Sequence, residues 1–171
     1  MGILDAIDVY LDQPEWEHSK ENGGENMQLR RKGHRYIDTI LRYYEGCNTA
    51  DVDLMMRTFT DDVVHYFVDH GEVRGARGLA DYWARVGPLT QANWMLDHTV
   101  IQEPEAVIEW SMSWVPKQTG QMELLRGSEW YIFEGSKIKE IRSYHANFYL
   151  ASTRNAELHD FDYAQRGYRV V

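Results

Sequence analysis

The spacing of apolar residues divides the chain into a helical first half and a strand-rich second half. Over residues 27–46, Leu29, Tyr36, Ile37, Ile40, Leu41, Tyr43 and Tyr44 fall near the i, i+3, i+4, i+7 spacing of an amphipathic helix. Arg30, Arg31, Lys32, Arg35 and Arg42 leave a cationic outer face, and Gly46 and Asn48 are stop signals. Asn48 or Thr49 can cap a second helix in ADVDLMMRTF, which carries Asp51 and Asp53 in its first turn. DDVVHYFVDH is β-branched and aromatic and predicts a strand from 62 to 68. GEVRGARG reads as a turn-rich connection, and GLADYWARV as a third short helix. From Trp94 the pattern becomes strands: WMLDHTVIQE, AVIEWSMSWV, MELLRGSEWYIFE and KIKEIRSYHANF. Turn signals separate them at Glu103-Pro104, from Pro116 to Gly120, and at Glu134-Gly135-Ser136.

Helices first and strands in series predict an α+β domain with an antiparallel or mixed sheet, not a βαβ repeat. The boundaries expected are an arm over 1–26, the domain over 27–150, and a tail over 151–171. The tail holds a second aromatic cluster, Phe161, Tyr163 and Tyr168, and packs on the domain or on a neighbouring subunit.

Length and charge narrow the function classes. A chain of 171 residues buries enough surface for a core without staples. Its one cysteine, Cys47, rules out an internal disulfide and a cysteine-rich zinc site. A net charge of −9 argues against a general nucleic-acid binder and against docking on an anionic membrane. No apolar run approaches a membrane span, and the first residues are acidic where a signal peptide is basic. The expected location is the cytoplasm. There is no Walker loop, dinucleotide fingerprint or nucleophile elbow. His65, His70 and Glu72 match no established metal spacing, so no metal is expected.

Six Trp, eleven Tyr and five Phe are more rings than a plain core needs. They suit a pocket for a small apolar ligand, or a β-rich core with an oligomer interface. Ile108, Trp110, Met112 and Trp114 share one strand face, which is pocket wall or core. Glu129, Tyr131 and Phe133 share a face of the next strand; a carboxylate there is an acid–base candidate if that face is the inner one. Arg142 could bind an anionic substrate group or pair with Glu129. His65 shares a face with Val63 and Phe67 and is either an acid–base group or a core or rim histidine. His18, His34, His145 and His159 are expected at the periphery.

The order of elements, with FTDDVVHYFVDHGEVRGARGLADYW, resembles the nuclear transport factor 2-like superfamily and its SnoaL-like branch. Phe59 and Asp62 match the Phe-x-x-Asp that opens the first strand there. Gly75 to Leu79 match the turn that starts the third helix, and RGSEWYIFEGSKIKEIRSY resembles the closing hairpin. The resemblance covers about residues 27–147. It implies a cone in which a curved sheet wraps the long helix, with three main helices, and a cavity for an apolar ligand. It also implies cofactor-free acid–base work and a homo-oligomer, dimer or trimer. By position His98 resembles the base of the dehydratase-like members, and a histidine titrates near operating pH. Asn48 stands where those members carry an aspartate, and Tyr43 where they carry a tyrosine that can donate to a developing oxyanion. Asn48 can position a group but cannot accept a proton. Phe67 stands where isomerase-like members carry their basic carboxylate.

The expectation is an acid–base enzyme on a small hydrophobic, ring-bearing substrate, most simply a lyase. Its parts are His98, Tyr43, His65 and Asn48, walled by Trp110, Trp114, Met112, Tyr131, Glu129, Arg142 and Phe67. The alternatives are an isomerase or polyketide-type cyclase with the same pocket, or a non-catalytic ligand-binding or oligomerisation module.

Overall fold

The computed structural model describes residues 33–145 and 158–167. The expected arm over 1–26, the first residues of the expected long helix, and Tyr168 of the tail cluster lie outside the described residues. The described residues from His34 onward form one compact unit.

Helix α1 spans Arg35–Thr49. Its first turn is capped by His34, whose Nδ1 accepts from the Tyr36 N–H at 3.2 Å. The stripe Tyr36, Ile37, Ile40, Tyr43, Tyr44 and Cys47 is buried, as the spacing predicts. The helix ends at Ala50, in the left-handed conformation at φ 56°, and runs through the residues expected to cap its successor. The cap of α2 (Val52–Thr58) is instead Asp51, whose carboxylate accepts from Leu54 N–H at 2.8 Å. Strand β1 (Phe59–Tyr66) follows directly. Val73–Arg74, expected as a connection, forms a short strand β2 that pairs with β1. Helix α3 spans Ala76–Thr90.

Strands β3 (Asn93–Gln102), β4 (Glu105–Trp114), β5 (Glu123–Glu134) and β6 (Lys137–Tyr144) form an antiparallel meander. Strand β6 returns parallel to β1, which gives one mixed six-stranded sheet in the order β2-β1-β6-β5-β4-β3. The sheet is open, with β2 and β3 at its edges. The fold is α+β, with three helices packed on the inner face of this sheet. No helix among the described residues is long and apolar enough to cross a membrane.

Register decides which residues meet. Ile108 of β4 lies opposite Glu129 of β5, and Glu129 opposite Ser143 of β6, so these three form one row on the inner face. Arg142 falls on the other face with its parallel partner Tyr66. There Leu158 and Phe161 of the tail cover Tyr66 and Val68 in a second cluster. Arg142 and Arg166 both stand over the Phe161 ring, at 4.9 and 4.2 Å, and both bond Glu140. Burial works against the Glu140 charge, but hydrogen bonds from Arg166 and Arg142 hold its carboxyl below the ordinary value.

Where α1 meets α2, Gly46 lies under Met55. A Cβ on Gly46 would stand 2.5 Å from Met55 Cγ and 3.2 Å from Met55 N. Ala in an open helix would gain about 1 kcal/mol over Gly. Overpacking at a fixed contact costs about 1–3 kcal/mol, and here one of the crowded atoms is backbone. Gly46→Ala is therefore expected to lower stability by up to about 2 kcal/mol net, read as a lower urea midpoint with an unchanged slope. A raised midpoint would show that α2 can move away.

Candidate acid–base site

Between the inner sheet face and α3 lies a cavity of about 180 Å³. Its walls include Trp83, Trp94, Trp110 and Trp114, four of the six tryptophans, with Phe67, Met112 and Leu125. Two polar clusters line it. Glu129 and Ser143 lie on the sheet, and Asp69, His70, Tyr82 and His145 lie at the rim, where His70 is 37% exposed.

Glu129 organises the buried cluster. Its Oε2 accepts from the phenols of Tyr44, at 2.9 Å, and Tyr131; its Oε1 accepts from Ser143 Oγ. An ionised carboxylate only accepts, so the Ser143 proton is committed to it. Ser143 Oγ in turn lies 2.7 Å from His65 Nε2. With its own proton engaged, the serine oxygen must accept there, which fixes His65 as the Nε2–H tautomer. His65 is fully buried, stacked on Phe67 at 3.9 Å between ring centroids, and its Nδ1 has no hydrogen-bond partner.

Burial sets the ionisation of this cluster. It pushes the Glu129 carboxyl above its ordinary value, although hydrogen bonds from Ser143, Tyr131 and Tyr44 pull the other way. Burial, then the positive forms of His70 and His145, push His65 well below its ordinary value, so it is neutral near pH 7. Tyr43, Tyr44 and Tyr131 are pushed well up, chiefly by burial, and stay protonated as donors.

At the rim, Tyr82 OH lies 2.9 Å from His70 Nε2. Asp69 reaches towards both histidines, with Oδ1 3.7 Å from His70 Nε2 and Oδ2 3.8 Å from His145 Nε2. Burial lowers the His145 pKa against the pull of Asp69, and raises Tyr82 to about 12. Asp69 Oδ1 and His145 Nδ1 are buried without hydrogen-bond partners. Among the described residues no group of three or more His, Cys, Asp or Glu is arranged to hold a metal ion.

The candidates from the sequence fall into three groups. Trp110, Met112, Trp114, Phe67 and Glu129 line the cavity; Tyr131 and His65 stand behind it and bond Glu129 and Ser143 respectively. Tyr43 is buried in the core but does not line the cavity; its neighbour Tyr44 reaches Glu129. The remaining three lie elsewhere. Asn48 is a backbone clasp: its amide donates to Trp94 O at 3.0 Å and accepts from Trp94 N–H at 2.7 Å, holding β3 to α1. Arg142 pairs with Glu140 on the outer face, not with Glu129. His98 is set aside by a bulge. The pairing shifts between Leu96 and His98, so Leu96 lies opposite the buried Trp110 and His98 opposite the exposed Glu109. The expected base thus stands on the outer face, because Asp97 interrupts the alternation that would carry it inward.

The sequence does not single out Ser143, Tyr44, Asp69, Tyr82 or Trp83 as site residues, and His145, expected at the periphery, has a side chain only 14% exposed. The two-residue parity of β6 could have offered Ser143 once the inner face was known. Of the rim residues, Asp69 and His70 fall in the connection between β1 and β2, where no alternation assigns a face, Tyr82 lies on α3 and His145 just past β6.

The SnoaL-like domain family matches residues 40–141. A protein of unknown function with a cystatin-like fold from Methylobium petroleophilum PM1 is 37% identical; the match covers 80% of this chain and 92% of that one, with a TM-score of 0.69. A candidate SnoaL-like polyketide cyclase from Jannaschia sp. CCS1 is 16% identical over 64% of this chain and 84% of that one, with a TM-score of 0.56. TerC, co-crystallised with polyporic acid, is 14% identical over 66% and 92%, with a TM-score of 0.58. No curated protein matches by sequence.

The two buried groups give opposite pH dependences. Below a pH of about 6.5 the unfolded chain takes up a proton at His65 that the folded chain refuses, so stability falls with pH, by at most about 1.4 kcal/mol per unit. Glu129 binds its proton more tightly when folded, so its contribution is present at low pH and is lost as pH rises through its folded value. His65→Gln keeps a donor for Ser143 and removes only the first effect. Urea titrations between about pH 5 and 7 should show stability that rises less with pH in the variant than in the wild type, or that falls with pH where the Glu129 effect is left alone. Equal slopes would mean that His65 is protonated in the fold.

Proposed function

The chain belongs to the SnoaL-like family, and we propose that it is a cofactor-independent acid–base enzyme acting on a small hydrophobic, ring-bearing molecule. The observation that carries this reading is a buried carboxylate, Glu129, lining a cavity walled by four tryptophans. Burial raises its affinity for a proton, which suits it to general-base work nearer neutral pH.

The reaction begins with proton abstraction from a carbon beside a carbonyl. Glu129 takes the proton, and the C–H electron pair moves into the carbonyl to form an enolate. The tryptophan walls exclude water and hold the ring. Tyr82 and the rim histidines His70 and His145 supply a proton to the developing oxyanion, or to a leaving oxygen. Elimination, the lyase outcome, follows if the enolate expels a group at the next carbon. Isomerisation or ring closure follows if it is reprotonated or attacks within the same molecule. The candidate cyclase and TerC, co-crystallised with polyporic acid, are neighbours in fold, and a small organic ligand in such a cavity is in keeping with them. The reading includes a homo-oligomer, dimer or trimer, for which the exposed Met95, Val100, Leu124 and Trp130 of the outer sheet face offer apolar surface.

One observation favours the second reading, a non-catalytic binding module. Three hydroxyls already occupy Glu129, as a purely structural carboxylate would require.

The test is solvent-deuterium exchange at carbon, followed by NMR over a panel of aromatic ketones and polyketide-like molecules. Wild type should exchange at least one of them. Glu129→Gln should lose a factor of about 10²–10⁴, while His98→Ala should keep wild-type rates. Full exchange in Glu129→Gln would remove Glu129 as the base. Binding without exchange of any compound would establish the module.

A further inference from the structure

Gly127 is the one residue of its row without a side chain. On β5 it lies between Leu125 and Glu129, both of which line the cavity, and directly opposite Trp110 of β4. Its φ lies outside the left-handed region, so the backbone there would accept any residue. Glycine inside a strand weakens it, and often marks a close approach. The approach here is Trp110: a Cβ on Gly127 would stand 2.5 Å from Trp110 Cζ2 and 2.8 Å from Cε2. It would also stand 3.0 Å from His145 Cβ. Both crowded residues are cavity walls, and their rings meet edge to face at 5.7 Å.

We propose that Gly127 is the specificity-determining position of the cavity. The missing side chain lets the Trp110 indole lie back across β5 and lets His145 stand beside it, which leaves room for a flat ring next to Glu129. The proposal rests on the reading that this cavity is the ligand site. A methyl group at 127 lifts Trp110 off the strand and into that room. It shrinks the ring size admitted without touching the acid–base groups on Glu129.

The test uses Gly127→Ala, Trp110→Phe and the double variant. In the ligand-free protein, the Gly127 Hα resonances of the wild type should show the ring current of Trp110, and Trp110→Phe should change it. Gly127→Ala should shift the Trp110 indole N–H resonance. Benzene and naphthalene are then titrated. Gly127→Ala should bind naphthalene about tenfold or more weakly and benzene nearly as wild type, and Gly127→Ala/Trp110→Phe should recover naphthalene. If Gly127→Ala does not fold, the double variant carries the test: folding with naphthalene bound as in wild type supports the proposal. An unmoved Trp110 resonance in Gly127→Ala, or unchanged naphthalene affinity, overturns it. If Trp110 moves as expected while the wild type takes up neither hydrocarbon, the ligand-site reading is what fails, and size selection fails with it.

Discussion

A carboxylate cannot be taken out of water unless the fold supplies its partners, and Glu129 places that demand on this structure. The cost of an unpartnered buried charge is several kcal/mol, a large part of a domain's whole stability. Three hydroxyls meet it, from Tyr44 on α1, Tyr131 on β5 and Ser143 on β6. Each is tied to a specific phase or register. A slip of one residue between β5 and β6 would send Ser143 to the far face. A rotation of α1 would withdraw Tyr44. Glu129 therefore fixes how the long helix sits on the sheet, and the cavity beside it is a consequence of that seating.

The cavity exists because large rings cannot close over that row. Trp83 of α3 meets Trp94 of β3 edge to face at 5.2 Å, and Trp110 spreads over Gly127. The Asn48 clasp holds Trp94 in place from the end of α1. Rings this size pack by edges and leave gaps that smaller side chains would fill. Titratable groups lie at both ends of one such gap: a carboxylate inside, and two histidines, an aspartate and a phenol at the rim.

Much of this was legible in the sequence, and the failures are instructive. The helix stripe, the four-strand meander and the inner face of β4 follow from period and alternation alone. Glu129 was placed on a definite face, but whether that face was inner depended on the register between β5 and β6, which local pattern does not encode. Tyr43 and Tyr44 both belong to the buried stripe, so periodicity cannot tell which one reaches the carboxylate. His98 was lost to one inserted residue: a bulge at Asp97 turns every later side chain of β3 over, and no local signal in WMLDHTVIQE marks it. Asn48 satisfied backbone groups instead of chemistry, a role that needs a strand edge remote in sequence.

The central claim is that Glu129 is a buried carboxylate whose proton affinity the fold raises while keeping it able to ionise. Infrared difference spectroscopy measures this directly, by following the carboxyl stretching band with pH in wild type and assigning it by its loss in Glu129→Gln. The account predicts one band, absent from the variant, that titrates above the ordinary glutamate value of roughly 4.3. A Glu129 band that titrates at or below that value would mean that the hydroxyls outweigh burial, leaving a structural anchor and no base.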